Sequence, residues 1–420
     1  MARMTVLPIP PAGSYDPVSR TLDLDPRDPV FVADPYATYE ALHTVGGVFR
    51  WAQYDHWVFA RHEDVSALLR DPRLGRQITH RCSRAELGWP EPPAHLEAFT
   101  RYEEHALLEL EPPAHTRMRM LVNRPFLSRV NEALRPRIEA LAHAAIDRFA
   151  AAGRVELLEH YATPIPVQVI CDLLGAPLER TTDLLRWSHD MVAMYQARRD
   201  ADVERRAVEA TQAFAAFTRE LYAARARDPR EDLLTALLAS EVNGDTLSDP
   251  ERVSTAMLFL IAGHEATVHA IANGVRAILE GGIDPAEAFA TPEATARTVE
   301  EVLRFDTPLH LFTRYVLEPC TIHGVTFARG EKVGLLLGAA DHDPARFESP
   351  RRFQPGRTPN PHLSFGGGIH FCVGAPLARL ELQVALPALF ARLPGLALAA
   401  PPRWRDTYHF RGLEALELRW

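Results

Sequence analysis

Lysine is almost absent from this chain: Lys332 is the only one, and every other basic residue is arginine. No G-x-x-x-x-G-K-[ST] phosphate loop is possible without a lysine after the glycines, and a Schiff-base enzyme would have to use Lys332. Cysteine is scarce. Cys82, Cys171, Cys320 and Cys372 are far apart and form no C-x-x-C, which fits neither a zinc site nor a disulfide framework. A reducing, cytoplasmic location is the expectation. The first residues, MARMTVLPIPPAGSYDPV, lack a signal-peptide layout, and no apolar run reaches the roughly 18 to 20 residues of a membrane span. Positive charge is in deficit, with 46 basic against 55 acidic residues, so nothing asks for nucleic acid or an anionic membrane. What remains is 420 residues, 47% apolar and 24% charged, enough for a large buried core. Length alone suggests about two to three domains, although one large helical fold would absorb it.

Residues 1–30, rich in proline and aspartate, read as an irregular arm. A helix from Tyr36 leads into a hairpin-like stretch, VFRWAQYDHWVFA, and a second helix from His62. Residues 71–113 carry little periodicity and suggest a long binding loop with short helical pieces. From 114 to about 280 the pattern is helical. Its longest segment starts at Ser248, with Pro250 close behind, and stops at Gly281-Gly282. Thr291-Pro292-Glu293 opens another helix, short strands are expected over 311–340, and an apolar helix containing Pro387 follows Cys372. No repeat or linker divides the chain. The expected class is mainly α with a minor β part, as one domain over 1–420.

The chemistry concentrates in Phe365-Gly366-Gly367-Gly368-Ile369-His370-Phe371-Cys372-Val373-Gly374. A dinucleotide loop fails here, because Gly366-x-Gly368 is followed by Phe371 where a third glycine is needed. A surface turn beside an inert thiol is the plain alternative. Against it, consecutive glycines let the backbone approach a large flat group, and a cysteine just before a helix gains thiolate character from the helix N-terminus. The segment resembles the cysteine loop F-G-x-G-x-H-x-C-x-G of the cytochromes P-450, the haem-thiolate monooxygenases, and fills all its fixed positions. The resemblance implies the cytochrome P-450 fold and haem b with Cys372 as axial thiolate. Phe365, Gly366, His370 and Gly374 then belong to the cofactor loop.

Further motifs extend that resemblance. Glu301-Val302-Leu303-Arg304 is similar to the family's E-x-x-R pair, and Arg304 lies 68 residues before the cysteine. By itself such a pair contributes only about 0 to 1 kcal/mol. The resemblance implies a third member, Arg357, from Phe353-Gln354-Pro355-Gly356-Arg357. His115 and Arg119 match the family's H-x-x-x-R helix, and Arg314 falls where it places another arginine for the haem propionates, which arginine and histidine bind through charge-assisted hydrogen bonds.

The long helix contains Leu260-Ile261-Ala262-Gly263-His264-Glu265-Ala266-Thr267-Val268-His269. A zinc-protease reading of His264-Glu265 fails, because the next histidine lies five residues on, off the face that H-E-x-x-H needs. Ala262-Gly263 is a costly pair in mid-helix unless something must approach the backbone. The run resembles the family's oxygen-binding A-G-x-[DE]-T segment, with one departure. The usual threonine is Ala266, and the hydroxyl stands at Thr267, about 100° further round the helix. Glu265 stays as the proton-relay acid, to be helped by ordered water or a substrate hydroxyl. The rival explanations are a reaction that needs less proton delivery, such as coupling, desaturation or peroxide use, and a local distortion that returns Thr267 to the task.

A thiolate ligand favours O–O cleavage once electrons and protons arrive. The implied activity is hydroxylation of a small, mainly hydrophobic molecule, with contacts from Ala262, Leu309 and Phe312 and one polar contact from His310. Electrons would come from a ferredoxin and its NAD(P)H-dependent reductase. The arginines 117, 119, 124, 129, 135 and 137, against a lone acid Glu132, offer a docking face for an acidic ferredoxin or simply a solvated helix surface. From another class, a non-catalytic haem sensor is the remaining alternative, and the retained Glu265 argues against it.

Overall fold

The computed structural model describes residues 6–11, 13–123, 132–195, 199–408 and 410–420. Its axis is the helix Asp249–Glu280. Glu251 closes the start by accepting from the Ser248 backbone N–H at 2.8 Å and from its hydroxyl at 2.9 Å, Pro250 occupies the first turn, and Gly281 follows the end. Helices Pro164–Leu174, Ala201–Arg227, Pro292–Phe305 and Ala375–Arg392 pack around it. Two glycines mark where neighbours press closest. A Cβ on Gly263 would lie 2.8 Å from Ile170, and one on Gly274 2.8 Å from Val302. Their weak helix propensity is offset by that close packing. The helix is long and apolar enough to cross a membrane by composition, yet most of that stretch is buried inside the protein, as befits a core helix.

The largest of five sheets among the described residues is an eight-stranded mixed sheet. Its strands run, in spatial order, Leu7–Ile9, Gly13–Asp16, Thr21–Asp23, Val48–Trp51, His56–Phe59, Lys332–Leu336, Leu311–Val316 and Leu74–Gly75. Val333 pairs with Trp57 in parallel, and Leu311 with Leu336 antiparallel. The expected hairpin over 48–60 is present.

The irregular arm expected over residues 1–30 needs correction, since its described part supplies the first three strands and the short helix Pro29–Ala33. Ile9, Tyr15, Leu22, Leu24 and Phe31 are buried in a second apolar cluster with Trp51 and Tyr408. Strands of three or four residues separated by proline and glycine are too short to show a period. Burial against the sheet decides them. The 71–113 segment holds the short helices Ala94–Leu96, Glu97–His105 and Leu107–Glu109 between irregular stretches, as expected.

Candidate functional site

Cys372 sits between a one-turn helix, Gly368–His370, and the helix Ala375–Arg392. The Cys372 N–H donates to the Phe365 carbonyl at 3.1 Å and closes the loop. Gly366 and Gly368 have φ of +69° and +67°, and a Cβ on Gly368 would stand 2.4 Å from the Leu69 carbonyl oxygen. Only glycine fits there. Among the four cysteines Cys372 alone is exposed. Even so, the protein around it pushes its thiol pKa up, against the Gly374 N–H, the Arg119 charge and the Ala375 N–H, which favour thiolate. Coordination to a metal cation would remove the remaining proton. The Phe365 ring carries the Arg379 guanidinium 4.5 Å from its centroid and meets Phe371 edge-on at 6.3 Å.

Beside this loop the structure gathers basic side chains with few acidic partners among the described residues. Both ring nitrogens of His115 are buried without a hydrogen-bond partner, and burial followed by the His370 charge holds its pKa down at about 4. Its ring centroid lies 4.5 Å from that of His370, whose Nε2 is 3.0 Å from Glu111 Oε1. Arg314 is buried, donates to the Thr313 carbonyl at 3.0 Å and makes no ion pair among the described residues. Burial, then Arg76, brings its pKa down to about 9. Desolvated donors of this kind call for carboxylates. The donor set therefore fits a haem: His115, His370 and Arg314 would hold its propionates and Cys372 would hold its iron. Arg119 donates to the Phe371 carbonyl at 2.9 Å, and its charge acts on both the His115 ring and the Cys372 thiol.

Glu301, Arg304 and Arg357 come together in the core. Arg304 donates twice to Glu301, at 2.8 Å each, and Arg357 Nε lies 3.1 Å from Glu301 Oε2. Gln354 N–H and Asn360 also donate to Glu301, at 2.9 and 3.1 Å. Arg304 reaches on to the carbonyls of Asp341 and Pro350, at 2.9 and 3.0 Å, tying its helix to the meander before the cysteine loop.

On the central helix Ala262 is exposed and Gly263 and Ala266 are half-buried, although most of the helix around them is buried. Ala262 and Ala266 leave only small side chains on that face, and Ile170 packs over Gly263. Glu265 is buried and ionised: burial raises its pKa, but hydrogen bonds from His189 and His269 carry it well below the usual carboxylate range. Arg405 Nη1 donates to Glu265 Oε1 at 2.9 Å. Thr267 points to Glu381 on the helix after Cys372, and the central helix is regular throughout, so no distortion returns the hydroxyl to position 266. Leu309 is half-buried and bridges Phe410. Phe312 lies at the edge of the cationic cluster, with Arg76 and Arg314 at 5.4 and 5.6 Å from its ring. The polar contact expected of His310 is corrected: it is fully buried, with Nδ1 2.7 Å from the Tyr39 hydroxyl.

The fold and this site define a haem-thiolate oxidoreductase, and the chain belongs to the cytochrome P450 family. The family's sequence model, "Cytochrome P450", matches residues 291–393. Cytochrome P450 107B1 of Saccharopolyspora erythraea is 36% identical over 94% of this chain and 98% of its own. The 6-deoxyerythronolide B hydroxylase of the same organism is 35% identical over 93% and 96%. Among solved structures, P450BioI bound to an acyl carrier protein loaded with hexadec-9Z-enoic acid matches with a TM-score of 0.86 at 31% identity, covering 93% of this chain and 98% of that one.

Sequence reasoning passed over Arg405, His189, His269 and Glu111. Arg405 is 140 positions from Glu265 and Glu111 is 259 from His370, so no local pattern could have joined them. Of the six arginines offered for docking, 124 and 129 lie outside the described residues. Arg117, Arg135 and Arg137 are ion-paired with Asp245 and Glu251, with Glu132 and with Asp172.

Proposed function

We propose that this P450 monooxygenase hydroxylates a small, mainly hydrophobic organic molecule, using O2 and two electrons from a ferredoxin and an NAD(P)H-dependent reductase. The observation that carries the substrate class is the small, apolar face of Ala262 and Ala266, exposed and half-buried on a mostly buried helix. Ala262, Leu309 and the edge of Phe312 supply apolar contacts, and none brings a charge that would select an ionic substrate. When bound, haem supplies the redox chemistry that activates dioxygen. Cys372 holds it from the loop; His115, His370 and Arg314 orient it through its propionates.

Glu265 moves the proton. His189, 46% exposed at its side chain, sits 3.4 Å from Glu265 Oε2 and connects it to solvent. Ala266 offers no hydroxyl to pass the proton on, so water or a substrate hydroxyl takes that place. Ala266 is also what favours a second reading, in which the product is coupled or desaturated or peroxide is the oxidant. Turnover with a ferredoxin, its reductase and isotopically heavy O2 separates the two. A product that carries one labelled oxygen supports hydroxylation, whereas an unlabelled coupled or desaturated product replaces it with the second reading.

A further inference from the structure

Glu265 divides its two oxygens between different neighbours. Oε1 takes Arg405 at 2.9 Å and has His269 Nε2 at 3.6 Å. Oε2 faces His189 Nε2 at 3.4 Å and His264 Nε2 at 3.7 Å. These last three atoms all lie within 4.8 Å of one another. Zinc bonds of about 2.0 to 2.1 Å in a tetrahedron set ligand atoms roughly 3.4 Å apart. Two sides of the triangle already have that scale, and the exposed His189 side chain is free to adjust the third.

The protonation pattern is the stronger argument. His264 Nδ1 is 2.7 Å from the Leu260 carbonyl, which only accepts, so Nδ1 carries the hydrogen and Nε2 presents a lone pair. His264 is 4% exposed, and its Nε2 has no hydrogen-bond partner. A lone pair and a carboxylate oxygen thus face each other, and the single N–H that His189 has there serves one of them. A buried acceptor without a donor is costly; a cation satisfies all three at once.

We propose that His189, His264 and Glu265 bind one divalent transition-metal ion of the zinc type, with a fourth position open to water. Two imidazoles and one carboxylate suit zinc better than the all-oxygen cations. The outer contacts are those of a built site, since the Leu260 carbonyl fixes the His264 tautomer and Arg405 anchors the oxygen that does not bind metal. The central helix alone lacked a second histidine at the right spacing, and His189 on the helix Thr181–Val192 provides it. A bound ion occupies Oε2 and withdraws Glu265 from proton transfer, so zinc acts as an off-switch for turnover. Only that consequence rests on the proposed function; the binding does not.

The test uses haem-loaded protein, freed of metal with EDTA, equilibrated with Zn2+, desalted and analysed for zinc per chain. The expected result is one zinc per chain, held at least about tenfold more weakly in His189→Ala. Because His189 is half-exposed, this variant should fold, and an unchanged ferrous–carbonyl spectrum verifies it. X-ray absorption at the zinc edge should show nitrogen and oxygen ligands, two of them imidazole. Stoichiometric zinc held equally well by His189→Ala, sulfur in the zinc shell, or no retained zinc overturns the site. Zinc bound as described by an enzyme that yields no oxygenated product would count against the proposed function and leave the metal site standing.

Discussion

Single side chains carry the sharpest expectations. Cys372→Ser should leave a folded protein whose ferrous–carbonyl complex lacks the red-shifted Soret band of a thiolate ligand; an unchanged band would remove Cys372 as ligand. Ala266→Thr restores a hydroxyl to the face beside Glu265, so the share of electrons lost as peroxide should change, measured as peroxide formed per NAD(P)H consumed. Coupling with the true substrate that stays the same would refute the role given to water or substrate at this position. Glu381 tests a buried carboxyl. Burial raises its pKa well above normal, opposed only by Thr267, so the folded state holds this proton more tightly than the unfolded chain does. A carboxyl held protonated in this way costs stability as pH rises above about 4.5. Glu381→Gln removes that cost and should stabilise the protein at pH 7, with the gain shrinking toward about pH 4.5, read from denaturant unfolding.

Among the elements, the junction between the helix Pro292–Phe305 and the irregular meander over 341–364 depends on Glu301. Five donors from Arg304, Arg357, Gln354 and Asn360 converge on this fully buried carboxylate. Glu301→Ala leaves Arg304 charged and unpaired in the core, a loss of about 3 to 5 kcal/mol. The loop that presents Cys372 follows this meander, so the variant should also purify with less haem. Gly274→Val forces two methyl groups against Val302, where a Cβ already falls at 2.8 Å, and should cost about 1 to 3 kcal/mol. At this scale the sequence was readable where a cap or breaker marks the boundary. Ser248 with Pro250, Thr291 with Pro292, and Gly281 fixed three helix ends. The strands before residue 30 left no such signal, because pairing with Val48–Trp51 and burial of Tyr15 and Leu22 define them.

For the whole molecule, the buried charge network sets the response to acid. Burial, then Arg411, holds His310 down at about 3, and burial, then Arg304, holds His342 well below its usual range. Both are neutral in the folded state near pH 6.5, where the unfolded chain begins to take up protons, so stability falls as pH drops below that value. Asp306 and Glu300 follow lower down. Burial would raise both pKa values, but Arg411 and Arg276 bring Asp306 well below its normal value, and His362 and Arg379 bring Glu300 down to about 2. Their contribution is present above about pH 4 and is lost as pH falls further. The thermal midpoint should therefore decline from pH 7 to pH 5 and more steeply below 4, with a flatter upper limb in His310→Gln. A midpoint constant between pH 7 and 5 would contradict this account.

The ten-residue cysteine loop, the Glu301–Arg304 pair and the 249–280 helix were each legible in the linear chain, because their chemistry is written by near neighbours. Spacing also showed that Ala266 lacks the hydroxyl. Partners hundreds of positions apart were a different matter. That His310 turns into the core against Tyr39, that Arg314 makes no ion pair among the described residues, and that His189 and Arg405 reach Glu265 follow from which elements pack against which. Close packing decides those contacts through side-chain shape and buried volume summed over the whole core, and no window of sequence contains that sum.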